Sequence, residues 1–257
     1  MRNIKLTIEY DGTNYSGWQS QKNAVAVQNE IQKAINKLTG ENCLLIGAGR
    51  TDAGVHALGQ VANFRTSSKI PADKFSYALN SLLPDDIVIK KSEEVSLDFH
   101  AQYSAKGKKY MYLIYNSNRP SALLRERAYF VPQKLDVDAM KKAAECFLGT
   151  HDFSAFRATG GSAKTSVRTI TNVSLDVCHN MLDACNNLGS CNNLIKFEIE
   201  GNGFLYNMVR IIAGTLVEIG IGKLPWDSVP GIIESRDRKR AGRTAPPHGL
   251  YLVEVRY

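Results

Sequence analysis

Cysteine is scarce and badly placed for cross-linking: the five thiols among 257 residues are odd in number and include no closely spaced pair. That excludes a disulfide framework, a zinc ribbon and a thioredoxin-like redox site. Cys178, His179, Cys185 and Cys191 could in principle supply four ligands, but their spacing fits no common zinc pattern, so no metal is expected. No apolar run approaches the ~20 residues a membrane span needs. Met1-Arg2-Asn3-Ile4-Lys5 leads straight into an alternating stretch rather than an apolar export signal, and the expected location is the cytoplasm. A G-x-x-x-x-G-K-[ST] phosphate loop and a Rossmann glycine fingerprint are also missing, so nothing calls for a nucleotide or nicotinamide cofactor.

What is present is an ordinary globular composition, 44% apolar and 22% charged, with length enough for one large domain or two modest ones. The balance of 32 basic against 25 acidic residues, +7 overall, suits a polyanionic partner. The excess is clustered. Lys106, Lys108 and Lys109 precede Tyr110, and Arg236, Arg238, Lys239, Arg240 and Arg243 crowd a later segment relieved only by Asp237. Each cluster reads either as a solvated face or as a set of phosphate contacts.

Residues 4–10 alternate as a half-buried strand does, with Ile4, Leu6, Ile8 and Tyr10 on one side. Val27, Ile31, Ala34, Ile35 and Leu38 share a helical face that Gly40 ends. A short strand over residues 61–64, a helix opened by Pro71 and carrying Phe75, Ala78, Leu79 and Leu82, and a strand at 87–89 complete a β-α-β-α-β run, with a further strand possible before residue 47. A second unit starts near Tyr103. It contains a strand at 110–115, a helix capped by Asp136 and ended by Gly149, strands at 173–177 and 195–199 around an expanded loop at 180–193, a long helix over 204–219 stopped by Gly220, a short helix over 226–233 and a last strand at 250–257. Two such units, residues 1–103 and 104–257, without strict strand-helix alternation, predict an α+β protein.

The most informative stretch is Gly47-Ala48-Gly49-Arg50-Thr51-Asp52-Ala53-Gly54-Val55-His56-Ala57. Its three glycines allow a sharp turn and the close approach of a large ligand. Arg50 lies two residues before Asp52, and a nearby positive charge favours an ionised carboxylate, which can act as a nucleophile. Taken alone, Asp52 could equally cap a turn or pair with Arg50 for structure.

This run resembles the signature loop of the tRNA pseudouridine synthase A family. The resemblance continues through Tyr10-Asp11-Gly12-Thr13-Asn14-Tyr15-Ser16-Gly17-Trp18-Gln19, Lys109-Tyr110-Met111-Tyr112, Phe204-Leu205-Tyr206-Asn207-Met208-Val209-Arg210 and Thr244-Ala245-Pro246-Pro247-His248-Gly249-Leu250, in family order over nearly the whole chain. It departs at Lys108-Lys109, where the family often carries arginine, and between Cys178 and Cys191, a segment with no evident counterpart. The resemblance implies two β/α halves sharing a mainly antiparallel sheet, with helices packed on it and a central cleft. It also implies isomerisation of uridine to pseudouridine at positions 38, 39 and 40 of the tRNA anticodon arm by a homodimer without cofactor.

On that resemblance Asp52 is the catalytic residue. Tyr110 stacks on the uracil and assists removal of the C5 proton, Arg210 pairs with Asp52, and Arg50 fills the place of a uridine extruded from its stack. Attack at C1′ of the sugar and attack at C6 of the ring both begin with the same carboxylate. Two other readings stand beside this one. A non-catalytic RNA-binding module would account for the basic and aromatic clusters but lacks an RNP1 pattern, and a nucleoside hydrolase would want a second carboxylate, for which Asp11 is available but reads better as a turn former.

Overall fold

The computed structural model of the protein describes residues 1–20, 24–161, 163–178 and 193–257. The loop expected at 180–193 and the group Cys178, His179, Cys185 and Cys191 therefore lie outside the described residues, except for Asn193 and the backbone of Cys178. Two compact units are present, Met1–Lys108 with Tyr251–Tyr257, and Lys109–Leu250. Both are mixed α+β, each built on a mainly antiparallel sheet.

The first unit runs β1 (Arg2–Tyr10), α1 (Val27–Thr39), β2 (Ile46–Gly47), β3 (His56–Thr66), α2 (Phe75–Asn80) and β4 (Ile87–Val95). The strand β5 (Gly107–Asn116) carries the chain into the second unit, which continues through β6 (Tyr129–Val131), α3 (Val137–Glu145), β7 (Gly149–Asp152), β8 (Val167–Cys178), β9 (Leu194–Gly201), α4 (Met208–Gly220) and α5 (Ser228–Ser235). The last strand, β10 (Leu250–Arg256), read from sequence with the second half, packs almost wholly in the first unit, parallel to β3 with Tyr251 opposite His56.

In the first unit the strand order is β4-β1-β3-β10, with β2 also on β3. The alternation of β1 places Ile4, Leu6, Ile8 and Tyr10 in the core. Helix α1 buries Val27, Ile31, Ala34 and Ile35 and closes on Gly40, whose φ of +71° gives the left-handed cap while its N–H reaches the Asn36 carbonyl. Strand β3 is far longer than the four residues its local pattern suggests. It carries polar side chains that are nonetheless buried, His56, Gln60, Asn63 and Thr66, and these break the apolar alternation that marks a strand. Burial is tolerable because partners exist: Asn63 donates to Asn3 at 2.9 Å and accepts from the Ala101 N–H at 2.9 Å. Helix α2 is shorter than expected, a 3-10 turn (Ala72–Lys74) leading into Phe75–Asn80, because the Asn80 side chain leaves the helix to bond both the N–H and the carbonyl of Ile89.

In the second unit the order is β5-β9-β8-β7, with β6 parallel to the end of β5. Strands β8 and β9 pair antiparallel, Val173 opposite Ile199 and Val177 opposite Ile195. Asp136 caps α3 by accepting from the Ala139 N–H at 3.0 Å, as expected, but the helix ends at Glu145 and Gly149 opens β7 instead of stopping it. Helix α4 starts at Met208 rather than 204, since Asn207 takes a left-handed φ of +59° that a continuing helix cannot contain. Gly220 is its last residue and lies so close to Met140 that a Cβ there would sit 2.6 Å from the sulfur, which makes it a packing glycine.

Candidate active site

The five motif segments gather into two constellations, one in each unit. In the first unit the Asp52 loop leaves β2 and folds back to enter β3. Ala48 donates to the Val61 carbonyl at 2.8 Å, the Gln60 side chain donates to the Gly49 carbonyl at 3.0 Å, and Val55 closes a turn on the Asp52 carbonyl at 3.1 Å. The segment 10–19 grips this loop from the other side. Trp18 N–H reaches the Thr51 carbonyl at 3.2 Å, Gly54 N–H reaches the Tyr15 carbonyl at 3.3 Å, and the Tyr10 and Thr51 hydroxyls lie 2.7 Å apart. Full burial pushes the Tyr10 phenol far up, so it stays protonated and serves as a fixed structural partner.

Two glycines make that grip possible. A Cβ on Gly12 would lie 2.0 Å from the Val55 carbonyl oxygen, and one on Gly17, whose φ is +97°, would lie 2.5 Å from that of Thr51. Backbone therefore rests on backbone at both ends of the loop. His56, four residues beyond Asp52, locks the same junction: its buried ring stacks on Tyr251 at 4.8 Å and its Nδ1 accepts the Gly12 N–H at 3.0 Å. The Asp11 carboxylate stands 3.1 Å from that nitrogen and also takes the N–H and hydroxyl of Thr13, which makes Asp11 a turn former. One Nδ1 cannot accept from Gly12 and donate to Asp11 together; the Gly12 bond is that of the neutral ring, the Asp11 bond that of a ring protonated there. Held this way, Asp52 is partly exposed and Arg50 exposed, while Thr51 between them is buried. A carboxylate raised on a rigid loop beside an exposed guanidinium suits nucleophilic or charge-stabilising work on an anionic substrate.

In the second unit the other three segments meet. Tyr110, on β5 and 7% exposed, packs edge-to-face on Phe204 with ring centres 5.0 Å apart. Arg210 lies in the first turn of α4, its Nε donating to the Ala245 carbonyl at 2.9 Å and Nη1 to the Asn207 side chain at 2.8 Å. The Ala245 N–H returns a bond to the Arg210 carbonyl at 3.0 Å, and the Tyr112 hydroxyl donates to Pro246 at 2.7 Å. The left-handed Asn207 is thus explained: it turns its amide oxygen onto the guanidinium. A cavity of about 300 Å³ lies beside this cluster, walled by Tyr115, Leu124, Tyr129, Phe130, Pro246 and His248. It includes none of Asp52, Tyr110 or Arg210, and burial pushes the His248 imidazole down.

The basic clusters split on folding. Lys109 is committed to Glu198 at 3.0 Å and Glu200 at 3.8 Å. Burial alone would raise the Glu198 carboxyl, but hydrogen bonds and charge from Lys109 and Lys196 outweigh it and hold it low. Arg238 binds the Ala241 and Gly242 carbonyls and Thr244, Arg236 pairs with Asp152 at 3.2 Å, and Arg243 contacts the Tyr129 hydroxyl and ring. Lys239 and Arg240 are exposed. Among the described residues no three His, Cys, Asp or Glu side chains come together as a metal site requires, and no helix is long and apolar enough to cross a membrane.

Sequence reasoning passed over Tyr10, Thr51, His56 and Gln60; polar side chains inside motif segments were the available signal for the first three, and Gln60, beyond the motif on β3, gave none. The model of the family described as tRNA pseudouridine synthase matches residues 6–104 and 143–257. The protein named tRNA pseudouridine synthase A of Acetivibrio thermocellus is 67% identical over 257 residues, with the whole of both chains covered. Those of the same name from Ruminiclostridium cellulolyticum and Thermoanaerobacter sp. are 59% and 52% identical, again over the whole of both chains. The segment between Cys178 and Cys191 falls within the family match and within these end-to-end alignments, so it does have a counterpart among relatives. With most of its length matched by the family model and whole-length relatives well above half identity, the chain belongs to the tRNA pseudouridine synthase family.

Proposed function

We propose that this protein isomerises uridine to pseudouridine in the tRNA anticodon arm, at positions 38, 39 and 40, with Asp52 as the reacting carboxylate. The reaction breaks the bond between N1 and C1′, turns the uracil, forms a bond between C5 and C1′, moves a proton off C5 and leaves one on N1. Nothing is oxidised and no group is lost, so the chemistry requires no cofactor. Asp52 attacks C1′ or C6 to release the ring. Tyr110 stacks on the uracil and assists at the C5 proton, Arg210 pairs with Asp52 and holds its carboxylate ionised and aimed, and Arg50 takes the place of the extruded nucleotide, offsetting an unstacking cost of a few kcal/mol. The active species is a homodimer in the cytoplasm.

The observation that carries this reading is the doubly clamped loop that presents Asp52 partly exposed, beside an exposed arginine, in a chain of this family. The experiment is to incubate the protein with tRNA tritiated at uracil C5 and count released label, with Asp52→Ala in parallel. Release by the wild-type protein and a loss of at least ~10³-fold in the variant are expected, from the size of effects when a reacting nucleophile is removed. Undiminished release by the variant would take Asp52 out of the mechanism, and no release from either would favour an RNA-binding module.

A further inference from the structure

Of the three lysines that precede Tyr110, Lys108 has the most unusual surroundings. Its ammonium packs on the Asp52 loop at Gly49: a Cβ built there would lie 2.2 Å from Nζ and 3.4 Å from Cε, so the lysine end fills the space a side chain at position 49 would take. Lys109, by contrast, is already neutralised by two glutamates. Among the described residues the Lys108 ammonium makes no hydrogen bond and no ion pair, nor does any acidic group offset its burial. Desolvation alone pushes its ammonium down.

A half-buried cation without a counter-charge is unfavourable, and the described residues include no acidic partner that relieves it. The remedy is an anion brought from outside. Gly49 is followed directly by the exposed Arg50, and Asp52 is three residues away, so an anion seated here would stand beside the residue proposed to react. We propose that Lys108 is a phosphate ligand, binding the RNA backbone at or next to the uridine presented to Asp52. This rests on the tRNA reading above and adds to it a specific backbone contact that the charge count could not separate from its neighbours. The loop glycine is part of the site, because any side chain at 49 would displace the ammonium.

The test is the salt dependence of tRNA binding, measured by filter retention for the wild-type protein, Lys108→Met and Lys108→Gln, with thermal melts to establish that the variants are folded. Losing one phosphate contact should weaken binding about tenfold at low salt and flatten the slope of log K against log[salt] by roughly 0.7–0.9. Both variants should behave alike. Folded variants with wild-type affinity and slope overturn the proposal, as does a rise in melting temperature with an unaltered slope, which would make Lys108 a buried charge and nothing more. The readout is independent of Asp52: a flattened slope beside full tritium release by Asp52→Ala sustains the phosphate site while removing the proposed nucleophile. Failure of the wild-type protein to bind tRNA sinks both.

Discussion

Gly17 is the point at which a single methyl group should separate catalysis from folding. Two terms act on Gly17→Ala. The φ of +97° is one that a residue with a Cβ adopts only at a cost of about 1–3 kcal/mol. The new Cβ would lie 2.5 Å from the Thr51 carbonyl oxygen, against about 3.4 Å for ordinary contact, so the loop residue next to Asp52 must give way by about 0.9 Å. The obstacle is backbone, which cannot swing aside as a side chain tip can. A misplacement of about 1 Å at reacting groups can cost ~10²-fold in rate. For a chain of this size a loss of about 2–4 kcal/mol lowers the melting temperature by roughly 4–16 °C. Gly40→Ala is the matched control, since its φ of +71° also demands a left-handed residue while nothing lies within 4 Å of the added Cβ. It should lose about 1–2 kcal/mol and no activity. Melting curves together with single-turnover tritium release at 25 °C separate the two terms. The reasoning fails if Gly17→Ala keeps its rate within twofold, or if Gly40→Ala loses as much rate as Gly17→Ala does.

Acid should reach the second unit through Glu198. Its carboxyl is held below the unfolded value of about 4.3, so the stability it confers is fully present above that pH and is lost as pH falls through the lower folded value. Glu198→Gln should therefore be less stable than the wild-type protein at pH 7 and lose less on going from pH 5 to pH 3; equal acid slopes in urea melts would refute this. Asp136→Ala removes the cap of α3 and should cost about 1 kcal/mol by chemical denaturation. Tritium release at 25 °C should stay at the wild-type rate, and a fall would mean that the start of α3 matters to the site.

Short-range pattern was enough wherever an element's signal and its cause lie within a few residues. Strand β1, helix α1 with its Gly40 stop, the cap of α3 and the strands β8 and β9 all follow from alternation, helical spacing or capping chemistry that a neighbour supplies. The candidacy of Asp52 was legible for the same reason, as a compact run of glycines, an arginine and an acid, and the family resemblance became specific through four further motifs in order. Tertiary structure decided whatever depends on a remote partner. Asn80 ends α2 on a strand nine residues later, Asn207 delays α4 to serve Arg210 and the segment near Ala245, and β3 hides from its own periodicity because its buried polar groups are satisfied by residues dozens of positions away. Charges behave likewise: two adjacent lysines look alike in sequence, yet one is spent on glutamates of β9 while the other lies unpaired, among the described residues, against a glycine of the Asp52 loop. Composition and spacing determined which chemistry this chain carries, because reactive groups are named by the residues themselves. Only folding could decide how the carboxylate is held, because the glycines at 12 and 17 have their reason in a backbone some forty residues away.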